Sequence, residues 1–278
     1  RLPSAPPTAG LSRTIGAMAT ATVGDLLKQW RAKRGCSQLA LASDAGVSSR
    51  HLSFVETGRS KPSPELLLTL AEQLDLPLRE RNTLLLAGGY APRFSHHTLD
   101  ADAMHHVRSS LQRILDTHEP YPGLVLDRQW NIVMTNRAAD RMVDLLPPEL
   151  QQDPINLFRA SLHPDGFARY TTNLDRWAPY LLSELNRLAS VYDDPALHEL
   201  AAEVHELAAP LMPESANPSV ADELVVTCDL EIAGTRLSLF TTLTSFGSPR
   251  DTTLDELLIE LFFPADAETE ATLATLAI

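Results

Sequence analysis

Between Gln38 and Val55 the chain carries small, flexible and branched residues at spacings that few backbone arrangements satisfy together. Ala42 is small enough to let two helices touch, and Gly46 can take the positive φ of a tight turn. Val47, Leu52 and Val55 then wedge the pair apart at a fixed distance. The spacing predicts two short helices crossing at a steep angle, the second running from Ser49 to Thr57. Ser37 and Ser48 stand at the N-cap positions, where a hydroxyl accepts from an otherwise unpaired amide, and Gly46 and Gly58 close the two helices.

Three further helices are expected around this pair. The first places Leu26, Leu27 and Trp30 on one face and ends at Gly35. The next opens at Ser63-Pro64, with Leu66, Leu67, Leu70, Ala71 and Leu74 as its stripe, and the last follows Pro77 and stops at Gly88-Gly89. Residues 23–94 therefore read as an all-α five-helix domain. Before them, residues 1–22 are rich in Pro, Ala, Ser and Thr without a hydrophobic period and are expected to be a mobile arm. Whether residues 1–17 belong to the natural protein or Met18 is its start is left open.

The net charge of −13 argues against a nucleic-acid partner only as an average. Residues 23–94 hold ten Lys/Arg against seven Asp/Glu, whereas residues 95–278 hold eleven against twenty-nine. All three lysines, Lys28, Lys33 and Lys61, lie in the first segment, so a cationic face on an acidic molecule is expected. No apolar run reaches the ~20 residues of a membrane span, and the chain is expected to be cytoplasmic with no membrane partner. Cys36 and Cys228 are isolated, and His198 and His205 have the wrong spacing for zinc, so neither a disulfide frame nor a metal site is expected.

After a linker over residues 95–104 and a helix around Val107–Thr117, the hydrophobic period changes. Strands are expected at residues 123–127 and 130–135, with Asn136 capping the helix that follows. Helices are expected over Ile155–Leu162, Leu174–Tyr192 and Pro195–Leu211, then strands over 223–232, 236–246 and 256–263. Strands flanking a block of helices predict an α+β domain over residues 105–266 with an antiparallel sheet, followed by a tail over 267–278.

The run SQLALASDAGVSSRHLSFVETGRSKPS resembles the helix-turn-helix of the Xre/lambda-repressor type, and RHLSFVETGRSKPS with LRERNTLLLAGGYAP resembles the MmyB-like branch of bacterial transcription regulators. EPYPGLVLDRQWNIVMTNRAA, LHPDGFARYTTNLDRW and SLFTTLTSFGSPRDTTLDELLIELFFPAD resemble the PAS-like ligand-binding domain of that family, so the resemblance covers about residues 23–266. It implies a lambda-repressor-like DNA-binding domain followed by a PAS-like domain that takes a small, lipid-like or fatty-acid-like ligand and no cofactor. Geometry and resemblance together place Ser49, Arg50, Ser53 and Phe54 near base edges, with Arg50 suited to a guanine. Phe54 has two open readings, a thymine methyl contact or core packing. Gln38, Ser48, Arg59 and Lys61 are expected to hold phosphate. Lys28, Arg31, Lys33 and Arg34 either add to the field or form a solvated face.

In the second domain Phe158, Trp177, Leu181, Phe240 and Phe262, with Phe167, are the large apolar residues expected near a cavity, against the alternative that core packing alone explains each one. Arg159, His163, Arg169 and Asn173 are the expected polar anchors for a head group, against the alternative that His163–Gly166 is a turn and Asn173 satisfies loop backbone. The second domain has no lysine, and no phosphate loop, GxSxG or HExxH motif occurs, so catalysis is not expected. The expected function is a homodimeric, ligand-responsive regulator bound to double-stranded DNA. A C-terminal protein-interaction module without a small ligand is the alternative.

Overall fold

The computed structural model describes residues 21–192, 194–212 and 224–276. The expected arm, apart from Ala21 and Thr22, and the first residue of the expected strand over 223–232 lie outside these. The chain divides into two compact units, one reaching to His96 and including Arg250–Thr252, the other formed by His97–Pro249 and the residues from Thr253 onward.

The first unit contains α1 (Val23–Lys33), α2 (Gln38–Asp44), α3 (Ser49–Glu56), α4 (Pro64–Gln73) and α5 (Leu78–Ala87). Local chemistry fixes their starts. Thr22 forms a capping box with Asp25, and the hydroxyls of Ser37, Ser48 and Ser63 each accept from a backbone amide three residues on. Gly46, at φ 67°, turns the chain between α2 and α3. Leu27, Leu41, Leu52, Leu67 and Leu70 are fully buried where the five helices meet.

The second unit is an α+β fold around a five-stranded antiparallel sheet of order β2-β1-β5-β4-β3. Its strands are β1 (Gly123–Leu126), β2 (Ile132–Thr135), β3 (Cys228–Ile232), β4 (Thr235–Ser245) and β5 (Leu258–Pro264). Its helices are α6 (His105–Thr117), α7 (Arg137–Val143), α8 (Leu157–Leu162), α9 (Leu174–Tyr192), α10 (Pro195–Ala208), a short α11 (Thr252–Glu256) and α12 (Ala267–Leu276).

Register decides what each face of the sheet carries. Glu260 pairs with Leu124 on one side and Leu243 on the other, Thr241 with Phe262, and Cys228 with Leu239. Directly opposed residues share a face, so Leu124, Leu126, Cys228, Leu230, Leu239 and Phe262 meet α8, α9 and α10 in one core. Val125 and Ile259, one residue out of phase, meet Leu111 and Leu115 of α6 in another.

Several boundaries differ from the sequence expectation: the strand expected over 223–232 begins at Cys228, and the helix expected from Ile155 begins at Leu157, after the cap at Asn156. The strand expected from Trp130 begins at Ile132, because Trp130 takes a left-handed φ of 64° and buries its ring. The Asp127 carboxylate holds that turn by accepting from the amides of Gln129 and Asn131. The loop expected through Thr253 forms α11 from Thr252, which delays the last strand to Leu258. The expected tail is the helix α12. Asp266 accepts from the Thr269 amide, the Thr269 hydroxyl accepts from the Ser238 amide of β4, and Leu273 is buried. Residues 277–278 of that tail lie outside the described residues.

Helix α1 passes so close to the end of α3 that a Cβ on Gly24 would lie 2.2 Å from the Glu56 carbonyl oxygen. Alanine favours a helix over glycine by about 1 kcal/mol, but a backbone atom in a packed helix cannot move aside. Gly24→Ala is expected to destabilise the first unit by about 1–3 kcal/mol. Urea unfolding followed by circular dichroism checks this, and an unchanged or higher midpoint contradicts it.

Candidate functional site: a nucleic-acid interface and an apolar cavity

The start of α3 is fixed by the Ser48 hydroxyl, which accepts from the His51 amide at 3.1 Å. Ser49 and Arg50 are exposed in its first turn, and Ser53 is half-buried with its carbonyl accepting from the Thr57 hydroxyl. Phe54 is half-buried beneath two cations: the Arg50 guanidinium lies 5.4 Å and the Arg59 guanidinium 5.9 Å from its ring centre. The ring is thus a floor that steadies two exposed charges by cation–π attraction. Lys61 is exposed with its Nζ 5.1 Å from the Tyr90 ring centre, and the Tyr90 hydroxyl donates to the Pro62 carbonyl at 2.8 Å. The loop after α3 is held in this way by the segment that follows α5.

Gln38 is engaged inside the protein. Its Nε2 donates to Oε2 of Glu56 at 2.9 Å, and Glu56, 3% exposed, also takes Arg31 Nε on Oε1 at 2.9 Å and Arg31 Nη2 on Oε2 at 3.2 Å. One buried carboxylate therefore ties α1 and α2 to the end of α3. Arg34 donates to the carbonyls of Leu74 and Asp75 after α4. Of the basic residues on or next to α1, Arg31 and Arg34 hold the bundle together, while Lys28 and Lys33 are exposed.

In the second unit a cavity of about 70 Å³ lies between the sheet and its helices. Phe158, Phe167, Trp177, Leu181 and Phe262 line it. Phe240 does not: it pairs with Phe263 in register and stacks on it at 5.5 Å, on the opposite face of the sheet from Phe262. The four expected polar anchors are engaged elsewhere. Arg159 forms a two-pronged ion pair with Glu203 at 2.6 and 2.7 Å, and His163 Nδ1 accepts from the Asp165 amide in a turn. Arg169 packs on the Tyr170 ring at 4.6 Å and donates to the Leu145 carbonyl. Asn173 clips the start of α9 to β3, donating to the Thr227 carbonyl and accepting from the Asp229 amide. Its neighbour one turn on, Trp177, reaches the cavity alone.

The one carboxylate in the lining is Glu260 on β5; the Ser161 hydroxyl lines the cavity as well. It is 6% exposed, and its Oε2 has no hydrogen-bond partner. Burial pushes its carboxyl up to about 7, partly offset by a hydrogen bond from the Thr241 side chain. The sequence carried a signal for it: in Leu258-Ile-Glu-Leu-Phe262 the acid alternates in phase with Leu258 and Phe262, on the face that the strand turns to the core. Cys228 also lines the cavity, and burial pushes its thiol up to about 12, so it is not a nucleophile at neutral pH. Among the described residues no cluster of three or more metal-binding side chains occurs, and no helix is long and apolar enough to cross a membrane.

Glu260 gives stability a defined pH dependence. Below about pH 4.5 its carboxyl is protonated in both the folded and the unfolded chain and contributes nothing; between about 4.5 and 7 the folded chain alone keeps the proton, so stability falls as pH rises. Tyr180 and Cys228, its titratable neighbours, are both pushed further from neutrality by burial and stay uncharged across this window. Glu260→Gln is expected to be more stable than wild type by on the order of 3 kcal/mol at pH 8, with the difference vanishing near pH 4. Thermal unfolding across pH checks this, and a difference independent of pH contradicts it.

Two family models match the chain: the MmyB-like transcription regulator ligand binding domain over residues 107–276, more than half of the chain, and a helix-turn-helix over residues 27–81. Over 64 residues the chain is 38% identical to the transcriptional regulator ClgR of Mycobacterium tuberculosis, in strains CDC 1551 / Oshkosh and ATCC 25618 / H37Rv. That stretch is 23% of this chain and 57% of ClgR, less than two thirds of the relative's length. Similar solved structures include the PAS domain of Bordetella pertussis BvgS (16% identity, 61% of this chain, 96% of that one, TM-score 0.25) and an RNA-binding Light-Oxygen-Voltage receptor (15% identity, 99% of this chain, 68% of that one, TM-score 0.25). With a helix-turn-helix at its start and the MmyB-like ligand binding domain over most of the remainder, the chain belongs to the MmyB-like transcription regulators.

Proposed function

We propose that the protein is a sequence-specific, cytoplasmic DNA-binding regulator, without catalytic activity, whose affinity for its operator is set by a small apolar molecule in the cavity of the second unit. The observation that carries the DNA reading is the exposed, aromatic-backed cation pair Arg50 and Arg59 at α3, with Lys61 beside them on a chain of net charge −13. A short helix entering the major groove by its N-terminal end brings Ser49, Arg50 and Ser53 toward base edges, and Arg50 can bond a guanine bidentately. Arg59, Lys61 and the Ser48 hydroxyl meet phosphate. Phe54 acts through the arginines stacked on it. Gln38 contributes mainly by holding Glu56, and hence the angle at which α3 is presented.

One such helix makes few base contacts, so two copies on a pseudo-palindrome, with half-sites about 34–36 Å apart, supply affinity and symmetry. The enclosed, apolar lining around Phe158, Trp177 and Phe262 suits a small molecule better than a protein partner, which needs an exposed patch. Occupancy of the cavity shifts the balance between arrangements of the two DNA-binding heads, and so the fraction that reaches both half-sites. The anionic remainder of the chain repels DNA and confines contact to the cationic head.

Selection from a random duplex library supplies the operator, and titrations across salt concentration then separate the roles. Arg50→Ala is expected to lose about 1–3 kcal/mol on the operator and little on random duplex. Lys61→Ala is expected to weaken both alike and to lower the salt slope by about 1. Equal loss on both duplexes for Arg50→Ala, or no salt-dependent affinity for any duplex, contradicts the reading.

A further inference from the structure

We infer that Glu260 is the recognition point of the cavity and that the molecule it takes has an apolar body and a hydrogen-bond-donating head, an alcohol, amide or amine, and not a carboxylate. This rests on the sensor reading above and deepens it. Among the cavity-lining residues Glu260 is the one carboxylate, with no lysine, arginine or histidine beside it; the Ser161 hydroxyl, the Cys228 thiol and the indoles of Trp130 and Trp177 also line the cavity, and none of them donates to Oε2. Leu124 and Leu243 oppose it across the two neighbouring strands, so neither supplies a donor. Thr241 serves the carboxyl, but Oε2 is left without a partner. A buried acceptor without a donor is costly, and a ligand that brings a donor removes that cost while burying its own apolar body.

The same geometry selects against acids. With no lysine or arginine in the lining, a ligand carboxylate beside Glu260 would place two acids together, sharing at most one proton and leaving a buried negative charge. An amine instead brings the missing cation to an ionised Glu260. An alcohol or amide donates to the carboxyl in either protonation state. The cavity of about 70 Å³ limits the occupant to a small body unless the walls give way.

The test uses the full chain at pH 7.5 with three probes of one chain length: 1-octanol, octylamine and octanoate. Binding is read from the fluorescence of Trp130 and Trp177, which both line the cavity. Octanol and octylamine are expected to bind at least about tenfold more tightly than octanoate. Glu260→Leu is expected to bring octanol and octanoate within about threefold of each other. Glu260→Gln keeps the size and an acceptor oxygen but not the charge, so it is expected to retain octanol and to weaken octylamine at least about tenfold, and it serves even if the leucine variant fails to fold. Octanoate bound as tightly as octanol by the wild type, or a preference unaltered in Glu260→Gln and Glu260→Leu alike, overturns the role of Glu260 while leaving the sensor reading intact. No response to any probe overturns both.

Discussion

A carboxylate taken out of water must find a donor or a cation, and the two glutamates buried among the described residues meet that requirement in opposite ways. Glu56 is satisfied from within, by Arg31 on α1 and Gln38 on α2. The three-way bond locks the end of α3 against both helices, at the place where Gly24 lets the backbones touch. Glu260 has only Thr241 within the protein and leaves one oxygen facing an apolar cavity. The first arrangement ties three helices together. The second leaves a polar deficit that a ligand can fill.

Aromatic surfaces underlie several cations of the first unit. Phe54 carries Arg50 and Arg59, Tyr90 carries Lys61, and Trp30 carries Lys33 at 4.7 Å. A guanidinium steadied by a ring keeps its hydrogen bonds available, whereas one paired to a carboxylate, such as Arg159 with Glu203, has them committed. Arg50, Arg59 and Lys61, to which the proposed function gives base edges and phosphate, are all backed by rings.

What the sequence revealed follows the range of the interactions. The helices of the head were legible because their determinants are local: Ser37, Ser48 and Ser63 cap, Gly46 turns, and Ala42, Leu52 and Val55 recur at helical spacing. The antiparallel sheet was legible as alternation, but its pairing was not. Only the register that opposes Phe240 to Phe263 and Thr241 to Phe262 sends Phe240 away from the cavity and Phe262 into it. Arg159 and Asn173 looked available because their partners, Glu203, Thr227 and Asp229, lie 44 to 56 residues away. Gln38 looked free for the same reason. Glu260 carried a period-two signal of its own, but an acid among four apolar neighbours also fits an edge position, and burial is settled only by β1 and β4 closing on both sides of β5. Helix α12 had almost no apolar stripe to announce it; it is held by Thr269 on Ser238 and by the buried Leu273.

Linkage makes the proposed coupling between cavity and DNA measurable in one titration. Anisotropy of a labelled operator duplex is followed against full-chain protein with and without saturating 1-octanol. A shift in apparent Kd of at least about fivefold, absent on random duplex, is the predicted result. Superimposable curves, from protein that demonstrably holds the alcohol, would contradict it.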